Sequence, residues 1–376
     1  MKILIFSVAY HPFIGGAEIA VKEITDRISD TEFHMITVNI DGKQKAEEKI
    51  GNVHVYRVGR GKVGKYLMPF LGVKKALSLQ RENRFDATWS IMASYNGFAA
   101  LMFKILKPQV PFILTLQEGD PIDYIKGRVG FFAPIFSQIF RRATRIQAIS
   151  NYLADFARSM GTEKPIVVIP NGVDISAFTK SYGWSELEDT KNRLGKRVGD
   201  VFLVTTSRLV EKNGVSDVIE ALPRLPQNIK FLVVGTGELE HQFRDLATHL
   251  QVADRVKLIG FVSHQELPKY LKISDIFIRP SISEGLGSSF IEAMAAGIPV
   301  IATRVGGIPD FLTEGVTGYF CEVKSPKSIA ETVEKVLADG SRRQNIIENA
   351  KELVIKQYDW NLVAKRMKNE VFAKIA

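Results

Sequence analysis

One cysteine, Cys321, stands in 376 residues. A single thiol excludes a disulfide framework and a cysteine-rich metal site, and it fits a reducing cytosol. No run reaches the ~18 consecutive apolar residues of a membrane-spanning helix, so none is expected. The N-terminal run MKILIFSVAY stops at His11-Pro12. It lacks the h-region length and small-residue cleavage site of a signal peptide and reads as a first buried strand. A D-x-D triplet is absent, as are visible internal repeats and recognised nucleic-acid motifs, so nucleic acid is not an expected partner.

What is present is ordinary in bulk. Apolar content of 45% and charged content of 24% are those of a soluble globular protein, and the length suggests two domains at ~100–200 residues each. Charge is less even. Residues 1–180 carry 24 Lys and Arg against 16 Asp and Glu, a net +8, whereas the remainder carries 26 against 25. An acidic surface or substrate is drawn to the first half.

Strand-length apolar runs at 2–8, 34–40, 53–58, 86–92, 111–116, 145–149 and 166–169 alternate with helical patterns near 17–29, 66–82, 96–106, 131–142 and 151–160. Alternation of this kind predicts a parallel sheet covered on both faces. Residues 174–199 are polar and aperiodic, and read as a linker and hinge with one short helix. Strands then recur at 201–207, 230–235, 256–260, 275–280, 299–303 and 318–323. The intervening helical patterns include 287–297, 307–313, 326–338 and 341–356, with an amphipathic helix at 359–375. The reading is α/β: an N-terminal Rossmann-like domain over 1–173, with the helix 360–376 packing back on it, and a second one over 174–359. Two doubly wound domains facing each other place their carboxyl strand edges at a common cleft.

Residues 281–310 carry the most chemistry. Glu284 and Glu292 frame a turn containing Gly285 and Gly287 that runs into an Ala-rich helix. Two carboxylates eight positions apart suit a ligand rich in hydroxyls. The bare amides of Leu286, Gly287 and Ser288 suit an anion. Hydroxyls at both ends of a diphosphate describe a nucleotide-sugar. Arg208 and Lys212 follow a strand directly, where ligands bind in such sheets, and two cations there neutralise a diphosphate. Gly235 and Gly237 form a tight βα turn. The third glycine of a dinucleotide fingerprint is replaced by Glu240, which argues against an oxidoreductase. Gly15 and Gly16 let the first βα loop approach a phosphate or sugar.

These pieces occur together as GGAE at 15–18, IPNGVD at 169–174, SRLVEKNG at 207–214, VVGTGE at 233–238, GF at 260–261 and EGLGSSFIEAMAAGIPVIAT at 284–303. In that order the chain resembles a family 4 glycosyltransferase of the two-domain GT-B fold. The resemblance implies a retaining hexosyltransferase using a UDP- or GDP-sugar, with Arg208, Lys212 and Glu284 at the chemistry. Arg208 and Lys212 would hold the donor diphosphate, Glu284 the sugar hydroxyls and Glu292 the ribose. Gly16 would lie near the diphosphate, and Phe261 and Val262 near the base. Arg208 and Lys212 stand in for a divalent cation, so neither metal nor cofactor is expected. Many family members carry a His where this chain has Gln117. Gln117, Asp120 and His11 are the candidates for the acceptor or sugar side. A nucleotide-sugar 2-epimerase and a non-catalytic donor-binding subunit are the rival readings.

The same resemblance gives the acceptor to the basic first half. Segments 60–75 and 124–145 mix aromatics with Lys and Arg, a recipe for lying on anionic lipid. A cytoplasmic enzyme of cell-surface polysaccharide or glycolipid synthesis, peripheral at the inner membrane face, follows as the expectation.

Overall fold

The opening apolar run forms β1 (Lys2–Phe6), buried from Ile3 onward. The computed structural model describes residues 1–13 and 15–375. The chain divides into two units, Met1–Gly172 with Trp360–Ala376, and Val173–Asp359.

In the first unit, β1 is followed by α1 (Gly16–Asp26), β2 (Glu32–Asn39), β3 (Glu47–Ile50), β4 (Val53–Arg60), α2 (Gly61–Asn83), β5 (Ala87–Ile91) and α3 (Tyr95–Leu106). Then come β6 (Phe112–Leu116), α4 (Ile122–Val129), α5 (Ala133–Arg142), β7 (Arg145–Ala148), α6 (Asn151–Ser159) and β8 (Ile166–Val168). The eight strands lie in the order β3-β4-β2-β1-β5-β6-β7-β8. Continuous apolar runs such as FILTL in β6 are buried on both faces, as helix-covered parallel strands must be. The expectation of a purely parallel sheet fails at one edge, where β3 pairs antiparallel with β4. Its sequence, EEKI, is too polar and short to register as a strand, and an edge strand facing water needs no apolar run. Helix α4, also unanticipated, buries none of its residues, so no apolar stripe announced it.

Connections running rightward from β4 to β7 put α2, α3 and α5 on one face, because parallel crossovers are right-handed. Gly72 of α2 lies against Ala99 of α3, and Gly97 of α3 against Ile139 of α5, so missing side chains bring the three helices close.

The second unit opens with α7 (Ile175–Thr179) and α8 (Trp184–Arg193). The presumed linker is thus two helices inside this unit, and the chain crosses between units at Gly172–Val173 and Asp359–Trp360. Their starts are set by carboxylates: Asp174 accepts from the Ala177 amide at 3.0 Å and Glu186 from the Gly183 amide at 3.2 Å. Phe178, fully buried, anchors α7. The Rossmann-like part follows as β9 (Val201–Thr206), α9 (Val215–Ala221), β10 (Ile229–Val234), α10 (Glu240–His249), β11 (Val256–Gly260), α11 (Leu267–Lys272) and β12 (Ile276–Arg279). It ends with α12 (Ser288–Ala296), β13 (Val300–Thr303), β14 (Tyr319–Cys321), α13 (Pro326–Ala338) and α14 (Gly340–Gln357). The sheet order is β11-β10-β9-β12-β13-β14, with every pairing parallel. The helix expected over 307–313 is only a 3-10 turn, Ile308–Asp310. Beyond it the Thr313 amide is taken by the Thr317 hydroxyl, which ends helical bonding.

The C-terminal segment returns to the first unit as α15 (Trp360–Arg366), which packs on α1 over the face opposite α2. It is not one amphipathic helix. A π-turn at Met367–Val371 and a 3-10 turn at Phe372–Lys374 follow it. The wider turn lets Met367, Val371 and Phe372 all bury in the core, which regular helical spacing would not.

Strand order reverses between β1 and β5 in one sheet and between β9 and β12 in the other. Ligands of doubly wound sheets bind beyond the carboxyl ends at such switch points.

Candidate functional site

The switch point of the second sheet brings together what the sequence holds about 70 positions apart. The loop after β9 carries Arg208 and Lys212, and the loop after β12 carries Glu284, Gly285, Leu286 and Gly287. They are joined directly: the Ile282 amide donates to the Lys212 carbonyl at 2.7 Å. Asn213 turns its side-chain amide back on the Arg208 carbonyl at 2.7 Å, which closes the cationic loop on itself. Arg208 is exposed, and Lys212 is half-buried.

Two glycines make this junction possible. Gly214 sits at φ +65°, and a Cβ there would stand 2.2 Å from the Pro280 carbonyl oxygen. Gly306, at φ +54°, would place a Cβ 1.8 Å from the Glu284 carbonyl oxygen, which also accepts from the Gly307 amide at 3.1 Å. The backbone of Glu284 is therefore held from the β13 side.

The Glu284 carboxylate has a partner that sequence reasoning missed. Arg279, the last residue of β12, is buried and donates from Nη2 to Glu284 Oε2 at 2.6 Å. The same guanidinium reaches the Ser289 hydroxyl at 2.7 Å, the Thr206 carbonyl at 3.3 Å and the Ser281 hydroxyl at 3.2 Å. It also stacks 4.3 Å from the Phe290 ring centroid. Burial pushes the guanidinium down from the ordinary arginine value, while the charges of Glu284 and Glu292 oppose the shift. Arg279 thus ties β9, the glutamate loop and the start of α12 together. A charged residue closing the apolar strand IFIR was the available signal.

Ser288 begins α12 behind Gly287, whose φ of +95° suits the residue before the helix. The first-turn amides have no carbonyl inside the helix to pair with. Leu286 is buried, so only its main chain serves a ligand. Glu292, one turn into α12, accepts through Oε1 from His264 Nε2 at 3.0 Å, and His264 stands edge-on to Phe178.

Gly235 and Gly237 follow β10. Gly235, at φ +134°, would put a Cβ 1.9 Å from the Ser207 carbonyl oxygen, and Gly237 would meet Leu209 main chain at 2.4 Å. Their role is close approach to the cationic loop, whose Leu209 amide donates to Thr236 at 3.0 Å. The Gly235 amide donates to the Gly260 carbonyl at 2.8 Å, so this turn also fixes the loop bearing Phe261 and Val262. Phe261 is 79% exposed, an aromatic face open to a planar ligand.

The remaining candidates belong to the first unit. Gly15 caps α1 and Gly16 begins it, with open space where a Gly16 side chain would be. His11, in the loop after β1, keeps its carbonyl on Arg57 at 2.8 Å. Its Nε2 is buried without a hydrogen-bond partner among the described residues, and burial with nearby Lys22 holds its pKa down. Gln117, at the end of β6, is 9% exposed and accepts from the Asn171 side-chain amide at 3.0 Å. Its oxygen therefore clamps the 169–174 segment to the sheet. Asp120 is exposed on the following loop. Between them lies Glu118, which accepts from the Ala93 amide at 2.7 Å through Oε1 and buries Oε2 without a hydrogen-bond partner among the described residues. Burial raises this carboxyl to about 7.

Residues 187–353 match the family model of glycosyl transferases group 1, and residues 14–177 that of glycosyltransferase family 4. The GDP-mannose-dependent alpha-(1-6)-phosphatidylinositol monomannoside mannosyltransferase of Mycobacterium tuberculosis is 30% identical, over 97% of both chains. The N-acetyl-alpha-D-glucosaminyl L-malate synthase of Bacillus anthracis is 25% identical, over 95% of this chain and 93% of that one. In fold, the chain resembles HepE of Anabaena, solved with UDP and glucose. The TM-score is 0.82 at 19% identity, over 99% of this chain and 100% of that one. The fold class is GT-B, with two Rossmann-like α/β units.

Proposed function

Since this chain belongs to glycosyltransferase family 4, we propose that it transfers a hexose from a UDP- or GDP-sugar to a saccharide or lipid-linked saccharide, with retention at the anomeric carbon. The observation that carries the reading is the backbone bond from Ile282 to Lys212, which locks two cations and a glutamate into one frame at a switch point.

In this mechanism Arg208 and Lys212 take the donor diphosphate. As the bond from anomeric carbon to phosphate oxygen breaks, charge accumulates on the leaving diphosphate, and fixed cations stabilise it. The acceptor hydroxyl oxygen bonds to the anomeric carbon on the face the diphosphate leaves, and its proton passes to the leaving phosphate oxygen. That route needs neither a histidine base nor a metal ion. Glu284 Oε1 accepts from sugar hydroxyls while Oε2 stays on Arg279. Glu292 takes the ribose, and Phe261 stacks on the base. The first unit supplies the acceptor side, with His11, Gln117 and Asp120 as its candidates. The mannosyltransferase and the UDP-bound neighbour support a nucleotide-sugar donor. Synthesis of cell-surface polysaccharide or glycolipid at the cytoplasmic side of the membrane is the matching setting.

A panel of UDP-, GDP- and ADP-sugars, scored by thermal shift and then by slow donor hydrolysis, tests the reading. Release of nucleoside diphosphate and free sugar with retained configuration is expected. A 2-epimer as product would make the protein an isomerase. Binding without turnover, with and without saccharide acceptors, would make it a donor-binding subunit.

A further inference from the structure

Helix α2 is apolar on two sides. Gly64, Met68 and Gly72 face the protein, yet Val63, Tyr66 and Phe70 are each more than 60% exposed. Ordinary surface helices put charge there. A second apolar projection stands nearby. Helix α4 and the 3-10 turn Gly130–Phe132 bury nothing, and Phe131 is 95% exposed, Phe132 60% and Tyr124 53%.

The topology places the two together. Helices α2 and α5 both precede a strand, so both begin beyond the carboxyl edge of the sheet, and α3, which follows β5, begins there too. Helix α3 lies between the other two, and Tyr66 of α2 meets Tyr95 at its start, with ring centroids 5.3 Å apart. Val63 to Phe70 and the Phe131 tip therefore occupy one end of one helical face.

Cations border this end. Lys62 and Lys65 are on the first turns of α2, and Lys126 and Arg128 are on α4, with Arg128 5.7 Å from the Tyr124 ring centroid. Asp123 is the acidic residue of α4, and the first ten residues of α2 contain none. Arg141 and Arg142 fall at the opposite end of α5 and do not contribute.

We propose that this end of the first unit docks on an anionic membrane, with Phe131 and Phe132 entering the acyl boundary and the four cations resting among the headgroups. Aromatic rings standing out from an exposed turn suit a fluid surface that closes around them, whereas a protein partner needs a cup matched to their shape. The flanking cations supply attraction to anionic lipid. Among the described residues no helix is long and apolar enough to cross a bilayer, so the contact is interfacial. The inference deepens the lipid-linked acceptor reading, but its test involves no sugar transfer.

The test is flotation of the full chain with phosphatidylcholine vesicles, pure or containing roughly a third phosphatidylglycerol. Binding only to the anionic vesicles is expected, weakening as salt rises. The bound-to-free ratio is expected to fall at least about tenfold both in Phe131→Ser with Phe132→Ser and in Lys126→Glu with Arg128→Glu. Thermal unfolding and the UDP- or GDP-sugar thermal shift should stay unchanged in both, since these side chains are exposed and lie outside the donor unit. No flotation of the wild type, or flotation undiminished by both pairs, overturns the proposal. Concentration-dependent dimerisation in lipid-free buffer that Phe131→Ser with Phe132→Ser abolishes would assign the face to a second copy instead. Failure of donor turnover with intact flotation would remove the transferase reading and leave the docking face standing.

Discussion

The main-chain amide of Ile282 and the carbonyl of Lys212 lie 2.7 Å apart. One backbone bond thus converts two loops from different parts of the chain into a single rigid edge. Backbone donors hold position better than long side chains, because no rotamer freedom is lost on binding. The cations and the glutamate inherit that rigidity.

Gly214 is the residue that lets the loops approach. Gly214→Ala adds a Cβ 2.2 Å from the Pro280 oxygen at a positive φ, so the edge must open. The expected result is a folded protein that loses its donor-induced thermal shift. An unchanged shift would show that the loops need not touch.

Arg208→Ala and Lys212→Ala should each cut transfer by at least ~10²-fold, the usual scale for removing a fixed charge that faces a leaving group. Steady-state rates at saturating donor check this. Near-normal rates in both would remove the site assignment.

Arg279→Met leaves the Glu284 carboxylate without its ion-pair partner and breaks links to Thr206, Ser281 and Ser289. Losing one member of a buried pair costs on the order of 3 kcal/mol. Urea unfolding should show that loss. Arg279→Lys, which keeps charge but not the planar fork, should fall between Met and wild type.

Glu118 titrates at about 7 because burial disfavours its charged form. Its unfolded value is near 4.5, so between these pH values the native state binds more protons than the unfolded chain. Stability contributed by the protonated acid is therefore present below 4.5 and lost as pH rises to 7. Glu118→Gln keeps an oxygen for the Ala93 amide and cannot ionise. Its melting temperature relative to wild type should rise across that window and level off above it. A difference independent of pH would place the carboxyl in water.

The alternation of strands and helices was legible because central strands such as β5, β6, β12 and β13 are apolar runs buried on both faces. The elements missed share one trait. Strand β3 and helix α4 have no buried stripe, and α7 rests on Phe178 alone, so no hydrophobic period marked them. The motif residues Arg208, Lys212, Glu284 and Glu292 were legible as chemistry. Arg279, Gly306 and Glu118 were not, because their importance lies in contacts that only the folded loops create.

Sequence alone determined the kinds of group this protein offers a ligand, since charge and hydroxyl-binding capacity belong to residues wherever they fall. It determined the α/β class too, through hydrophobic period. Only the tertiary structure decided that β12 sits beside β9, and with it that a guanidinium inside the strand holds one glutamate while a backbone amide holds the lysine loop. Strand adjacency is a long-range pairing, and local sequence carries no record of which distant edge a strand will meet.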